Sequence, residues 1–239
     1  MIKNMKRIIP IIFFILCYSE GFASSIAISL KGGYSPEIGG SFYSQWQNQN
    51  LGVHDGINDI NRSKDGIVTS TIEKPMAILG GSEIRISGES IYFKSGFNYV
   101  KSYHGGSGFT LNNFGSGDEA VEVKYSLWFF YVPLTGGVII SFWDESKLFF
   151  GIGGAFAYGK RSDSFKSIST EHKASFQGYA LPLMAEFGGE YLVSDHMSLF
   201  CTITYINGQS NSIEDDSDYG RIDFTSYSFS AGVLFYYDF

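Results

Sequence analysis

The stretch that closes the chain, Tyr227 to Phe239, constrains its fold more than any other. Taken at every second position it reads Tyr227, Phe229, Ala231, Val233, Phe235, Tyr237 and Phe239, an unbroken apolar set. The positions between are Ser228, Ser230, Gly232, Leu234, Tyr236 and Asp238, mostly small or polar. Successive side chains of a strand point to opposite faces, so this period of two predicts a strand with one greasy face.

The same alternation recurs along the chain. Strands are predicted over about 25–36, 71–87, 90–104, 119–142, 147–160, 175–192, 197–209 and 222–239. In the fourth, Val121, Val123, Tyr125, Leu127, Phe129 and Tyr131 form the apolar set before Pro133, and Val138, Ile140 and Phe142 after it. A proline inside a strand pattern suggests a bulge there, which would change the phase. The connections sort by length. Those at 37–70, 105–118, 161–174 and 210–221 are long and polar, and those between them are two to four residues. All long loops therefore gather at one end and both termini at the other. A soluble sandwich gives no reason for such sorting, whereas a membrane barrel does. The predicted fold is all-β, an eight-stranded antiparallel up-and-down transmembrane β-barrel.

Composition fits that reading. Phe and Tyr number 22 and 16 and Gly 29, residues of strands, girdles and tight turns. A net charge of -7 argues against a nucleic-acid partner. Lys3, Lys6 and Arg7 precede a short apolar run, Ile8 to Leu16, and Gly21-Phe22-Ala23 fits a small-x-small cleavage site. Residues 1–23 are thus expected to be a signal peptide and 24–239 the barrel domain. Cys17 would leave with the signal, and Cys201 alone permits no disulfide within the chain.

Several stretches carry a resemblance: Trp128 to Leu134 (WFFYVPL), Lys147 to Gly154 (KLFFGIGG), and Phe187 to Leu199 (FGGEYLVSDHMSL). They resemble the small bacterial outer-membrane β-barrels of the outer-membrane protein A and X type. The terminal set Tyr227, Phe229, Val233, Phe235, Tyr237 and Phe239 resembles the C-terminal membrane-insertion signal of such barrels. The resemblance spans about 24–239 and implies a bacterial outer-membrane location. It implies outer-membrane lipid, lipopolysaccharide and the barrel-assembly machinery as partners, and an extracellular ligand bound through the loops. It transfers no catalytic signature and no cofactor.

One constellation stands out. Lys31, Glu83, Arg85, Lys94, Glu122, Lys124, Glu186 and Glu190 lie opposite apolar strand faces. Facing lipid, each would be costly, so all are expected in the lumen. Eight strands leave room for side chains and little else, which favours an ion-paired plug over a narrow, porin-like path for ions or small solutes. Some barrels of this size modify lipid A with a Ser and a His. His196 and Ser198 are the close pair here, but they sit at a short turn, at the wrong end. No metal-ligand spacing joins His54, His104 and His172. The expected role is structural or surface-interacting, and not enzymatic.

Overall fold

A computed structural model describes residues 25–39, 76–104, 106–113, 117–166, 171–210 and 222–238. Ten strands run through them: β1 (Ser25–Ile38), β2 (Met76–Ser87), β3 (Ile91–His104), β4 (Gly106–Asn113), β5 (Gly117–Trp143), β6 (Ser146–Lys166), β7 (Glu171–Ala180), β8 (Leu183–Ser194), β9 (Met197–Asn207) and β10 (Ser226–Asp238). Neighbours are antiparallel, and the ring β1-β2-β3-β5-β6-β8-β9-β10 closes through β5–β6 and β1–β10. The seam runs from Ser25↔Asp238 to Ile38↔Ser226. β4 carries on from β3 along β5, and β7 precedes β8 along β6. The molecule is a closed eight-stranded antiparallel up-and-down β-barrel. Closure leaves no unpaired edge around the ring, which a single-sheet β protein otherwise has to protect.

Alternation decides which side each residue faces. Ile28, Leu30, Ile84, Phe93, Ile152, Phe187, Leu199, Phe229 and Phe235 are exposed on the outside. Ala27, Ser29, Arg85, Tyr92, Ser198, Thr202 and Ser230 are buried inside. The exterior is greasy and the buried charges lie inside, the inverse of a soluble barrel. Toward the long connections, outward rings touch from strand to strand. Tyr99 meets Trp128 at 6.3 Å, Trp128 meets Tyr158 at 6.2 Å, and Tyr205 stacks on Tyr227 at 4.7 Å. Such amphipathic rings suit a membrane–water boundary.

Four expectations are corrected. Most of 105–118 is strand, because β4 and the start of β5 pair from Gly106↔Lys124 to Asn113↔Gly117. Its Gly and Asn content reads as loop, but a partner strand satisfies the backbone, and local composition does not reveal the partner. Likewise β6 continues to Lys166 and β7 begins at Glu171, taking up most of 161–174. The strand expected over 175–192 is broken at Leu181–Pro182. Lastly, no bulge forms at Pro133. The β5–β6 register passes through Pro133↔Ala155 unshifted, and its irregularity lies at Ser141/Trp143. Leu127, Phe129 and Tyr131 therefore face inward and are buried, while Val132, Leu134, Val138, Ile140 and Phe142 face out. The odd-numbered set before Pro133 is apolar because the upper lumen is apolar, a possibility that periodicity alone cannot separate from a lipid face. Glu37 and Ile38 belong to β1, and the rest of 37–70, with 211–221, lies outside the described residues.

Candidate functional site in the barrel lumen

The lumen is layered along its axis. Nearest the short turns, Arg85 on β2 pairs with Glu190 on β8 at 2.7 Å. The Tyr236 hydroxyl on β10 accepts from Arg85 and donates to Glu190. The guanidinium lies over the rings of Phe149 and Tyr236, 5.9 and 5.7 Å from their centroids. One layer up, Glu83 receives Lys31 at 2.6 Å, Lys94 at 3.0 Å and the Asn98 amide at 3.0 Å. Lys94 also pairs with Glu186, which accepts from Tyr92 Oη at 2.7 Å and Thr135 Oγ1 at 3.2 Å. Strand alternation aims each of these groups inward, and β1, β2, β3, β5, β8 and β10 each supply part of the network.

The charges balance: Lys31, Arg85 and Lys94 face Glu83, Glu186 and Glu190. Removing ions from water costs several kcal/mol each, which only close pairing and further hydrogen bonds offset. Both are present here. The cavity that Ser29, Arg85, Tyr92, Lys94 and Thr202 border has a volume of about 20 Å³. That is room for about one water molecule, far short of a hydrated ion path.

Above the charges the lumen turns apolar. Leu79, Val100, Leu127, Phe129, Tyr131, Met184 and Ile206 pack together, joined by Ile222 and Phe224. The last two belong to no strand. Residues 222–224 fold back across the barrel mouth against 208–210. Ser210 N donates to the Ile222 carbonyl at 2.8 Å, Phe224 N to the Gly208 carbonyl at 2.9 Å, and Ile222 N to Ser210 Oγ at 2.8 Å. The Phe224 ring meets Phe129 edge-on at 5.3 Å. Gly159 permits this, because a Cβ there would sit 2.7 Å from Phe129 Cβ and 3.0 Å from the Phe224 ring. Arg161, which the sequence suggests is a loop residue, is buried on β6 with its guanidinium 4.4 Å from the Phe176 ring centroid.

The structure thus brings together Lys31, Glu83, Arg85, Lys94, Glu186 and Glu190. Glu122 and Lys124 lie outside the described side chains. Of the terminal set, Tyr227, Phe229, Phe235 and Tyr237 are exposed on the barrel wall, Val233 is half-buried in the same row, and Phe239 lies outside the described residues. His196 is exposed in the Asp195–His196 turn, whereas the Ser198 side chain is buried in the lumen. Among the described residues no three His, Cys, Asp or Glu side chains gather to hold a metal. Sequence reasoning missed Tyr92, Asn98, Thr135 and Tyr236 as partners of the charges. Tyr92 and Asn98 share the parity of Lys94 on β3, and Tyr236 lies on the polar parity of β10, a signal that could have found them. Thr135 is on the opposite parity from Glu122 and Lys124 and gave no such signal. Ile222 and Phe224 alternate with Asp223 and read as the start of the last strand, which disguised them.

No family model matches the chain, and no curated protein does. Among solved structures it is similar to Ail, the attachment invasion locus protein of Yersinia pestis, at 11% identity and a TM-score of 0.40, over 90% of this chain and 99% of that one. It is similar to the outer membrane protein OprG of Pseudomonas aeruginosa at 11% and 0.40, over 91% and 98%. A third is the N-terminal β-barrel domain of OprF from Pseudomonas aeruginosa, at 6% and 0.37, over 90% and 99%. The barrel assignment rests on the ladders themselves.

Proposed function

We propose that the chain is a bacterial outer-membrane β-barrel with a closed lumen, and that its work is done by the end bearing the long connections. The observation that carries this reading is a sheet that outlasts the barrel wall. β4, the first part of β5, the last part of β6 and β7 keep pairing beyond the aromatic row, up to Asn113↔Gly117 and Lys166↔Glu171. In strand order β4 and β7 stand at the two ends. Their outer edges have no ladder partner among the described residues. An unpaired edge offers N–H and C=O groups to an added extended strand. The favoured role is therefore surface interaction, with a ligand that includes an extended peptide segment. Beneath the sheet, the balanced charges and the Phe224 layer argue against a porin-like path, and the inward Ser198 with an exposed His196 argues against lipid A chemistry. The apolar wall of β10 is the face the barrel-assembly machinery would receive, and lipid with lipopolysaccharide would surround the belt.

The test uses full-length protein in lipid nanodiscs against an immobilised library of extended peptides. Of two successive strand residues, one turns its N–H to each side, so of Thr110→Pro and Leu111→Pro one removes an edge donor. Binding should fall about tenfold for one of the pair, the loss of roughly one well-placed hydrogen bond. Absence of binding, together with discrete openings in planar bilayers, would instead favour the channel.

A further inference from the structure

The barrel wall has a dent. Outward-facing residues at one level, following the ladders from strand to strand, are Ser95, Leu134, Gly154 and Leu183. Gly154 has no side chain, so a gap opens between Leu134 and Leu183, which are 70% and 71% exposed. The neighbouring row deepens it. Pro133 on β5, Ala155 on β6 and Pro182 in the break before β8 lie side by side, with Ala155 N donating to the Pro182 carbonyl at 2.9 Å. Neither proline has an N–H to return, and the β3–β5 ladder skips Gly96 and Phe97 where Pro133 and Val132 stand opposite. The resulting groove has a volume of about 440 Å³, within the roughly 300–1,000 Å³ of sites that hold small ligands. Its lining is apolar except for one hydroxyl, that of Ser95.

We infer that this groove holds one acyl chain of a membrane lipid and favours a chain that carries a hydroxyl group. The inference rests on the outer-membrane reading above. Depth sets the chemistry. Gly154 lies four residues along β6 from Tyr158 of the aromatic row, and four residues of tilted strand descend about 10 Å. That is below the headgroups and inside the hydrocarbon of the leaflet nearest the long connections. A headgroup or a charged ligand is excluded at this depth, whereas an alkyl chain fits the lining. Ser95 is a hydroxyl with nothing to gain from plain hydrocarbon, and a hydroxyl on the chain would exchange a hydrogen bond with it. A wall that met lipid only as bulk solvent would need neither the missing side chain at Gly154 nor the polar one at Ser95.

The experiment places the full chain in vesicles containing a phospholipid with a photoactivatable diazirine on one acyl chain. Insertion is scored first, by altered gel migration without heating. Adducts mapped by mass spectrometry should concentrate on the β5, β6 and β8 peptides around Gly154. A lipid with a hydroxylated chain should displace the label at roughly three- to tenfold lower concentration than its plain counterpart, the worth of one net hydrogen bond. A Cβ at Gly154 meets just the Pro182 carbonyl, at 3.4 Å, so Gly154→Leu fills the groove and should abolish the concentrated label while still inserting. Ser95→Ala should keep the label and erase the preference. Label spread evenly around an inserted barrel, or unchanged in Gly154→Leu, overturns the groove. Equal displacement by the two lipids overturns the hydroxyl selectivity. A chain that never inserts overturns the outer-membrane reading instead.

Discussion

At Gly232 an added Cβ would sit 2.1 Å from the Leu30 carbonyl oxygen and 2.8 Å from the Phe200 ring. The obstruction is backbone, which cannot swing aside, so even Gly232→Ala should cost about 1–3 kcal/mol through overpacking. An Arg there would find no unpaired carboxylate, since Glu83, Glu186 and Glu190 each already have a cation and the site lacks space for a Cβ. At Val233 the difficulty is different: an Arg would face hydrocarbon and cost about 2–4 kcal/mol. Urea unfolding of both variants from lipid vesicles gives the two numbers, and a neutral Val233→Arg would contradict the lipid-facing assignment. Among the charges, Arg85→Met leaves Glu190 buried without its cation and should lose about 3–5 kcal/mol. Adding Glu190→Met should recover much of that loss, because an apolar pair owes no desolvation. A double variant as unstable as the single one would mean that Tyr236 and Phe149 need the guanidinium itself.

Among elements, β5 separates a strand's pattern from its orientation. Its odd positions before Pro133 are the more apolar set, which on pattern alone would face lipid, and only the β3 and β6 ladders show that they point inward. A lipid-soluble maleimide should therefore label Val132→Cys readily and Tyr131→Cys hardly at all, both in a Cys201→Ser background. The reverse order would restore the bulge at Pro133. The segment 222–224 is the other informative element. Phe224→Ala removes a ring buried against Phe129 and should destabilise by about 3–5 kcal/mol. It should not open the barrel, because the charged layers lie beneath it. Planar-bilayer recording of Phe224→Ala checks this, with silence as the expected trace.

For the whole molecule, one set of ladders has opposite consequences at its two ends. Near the short turns the ring closes on itself and leaves no edge. At the other end, among the described residues, β4, β5, β6 and β7 extend past the last paired residues of β1, β2, β9 and β10, and edges reappear. The closed part suits a membrane, where every backbone group must be satisfied internally, and the open part suits water, where an edge can wait for a partner. The intact protein should migrate faster on gels unheated than heated and should show no discrete conductance. Reproducible openings would mean that the lumen network separates in a bilayer.

The sequence by itself determined the barrel. Period-two alternation is a property of the strand alone, and connections sorted by length admit few other topologies, so the number of staves and the ends they join could be read directly. Parity also placed Lys31, Glu83, Arg85, Lys94, Glu186 and Glu190 on the lumen side of their strands, because a lipid-facing position is costly for each. Tertiary structure decided the rest, for a consistent reason. Which carboxylate meets which cation, as in Glu83 with both Lys31 and Lys94, depends on the stagger between strands distant in sequence. Whether a glycine-rich stretch such as Gly106–Asn113 is loop or strand depends on a partner that satisfies its backbone. Whether Phe224 begins a strand or seals the mouth depends on a space that exists only once β5, β6 and β9 have closed around it. Local pattern records what one residue prefers, and these outcomes belong to pairs.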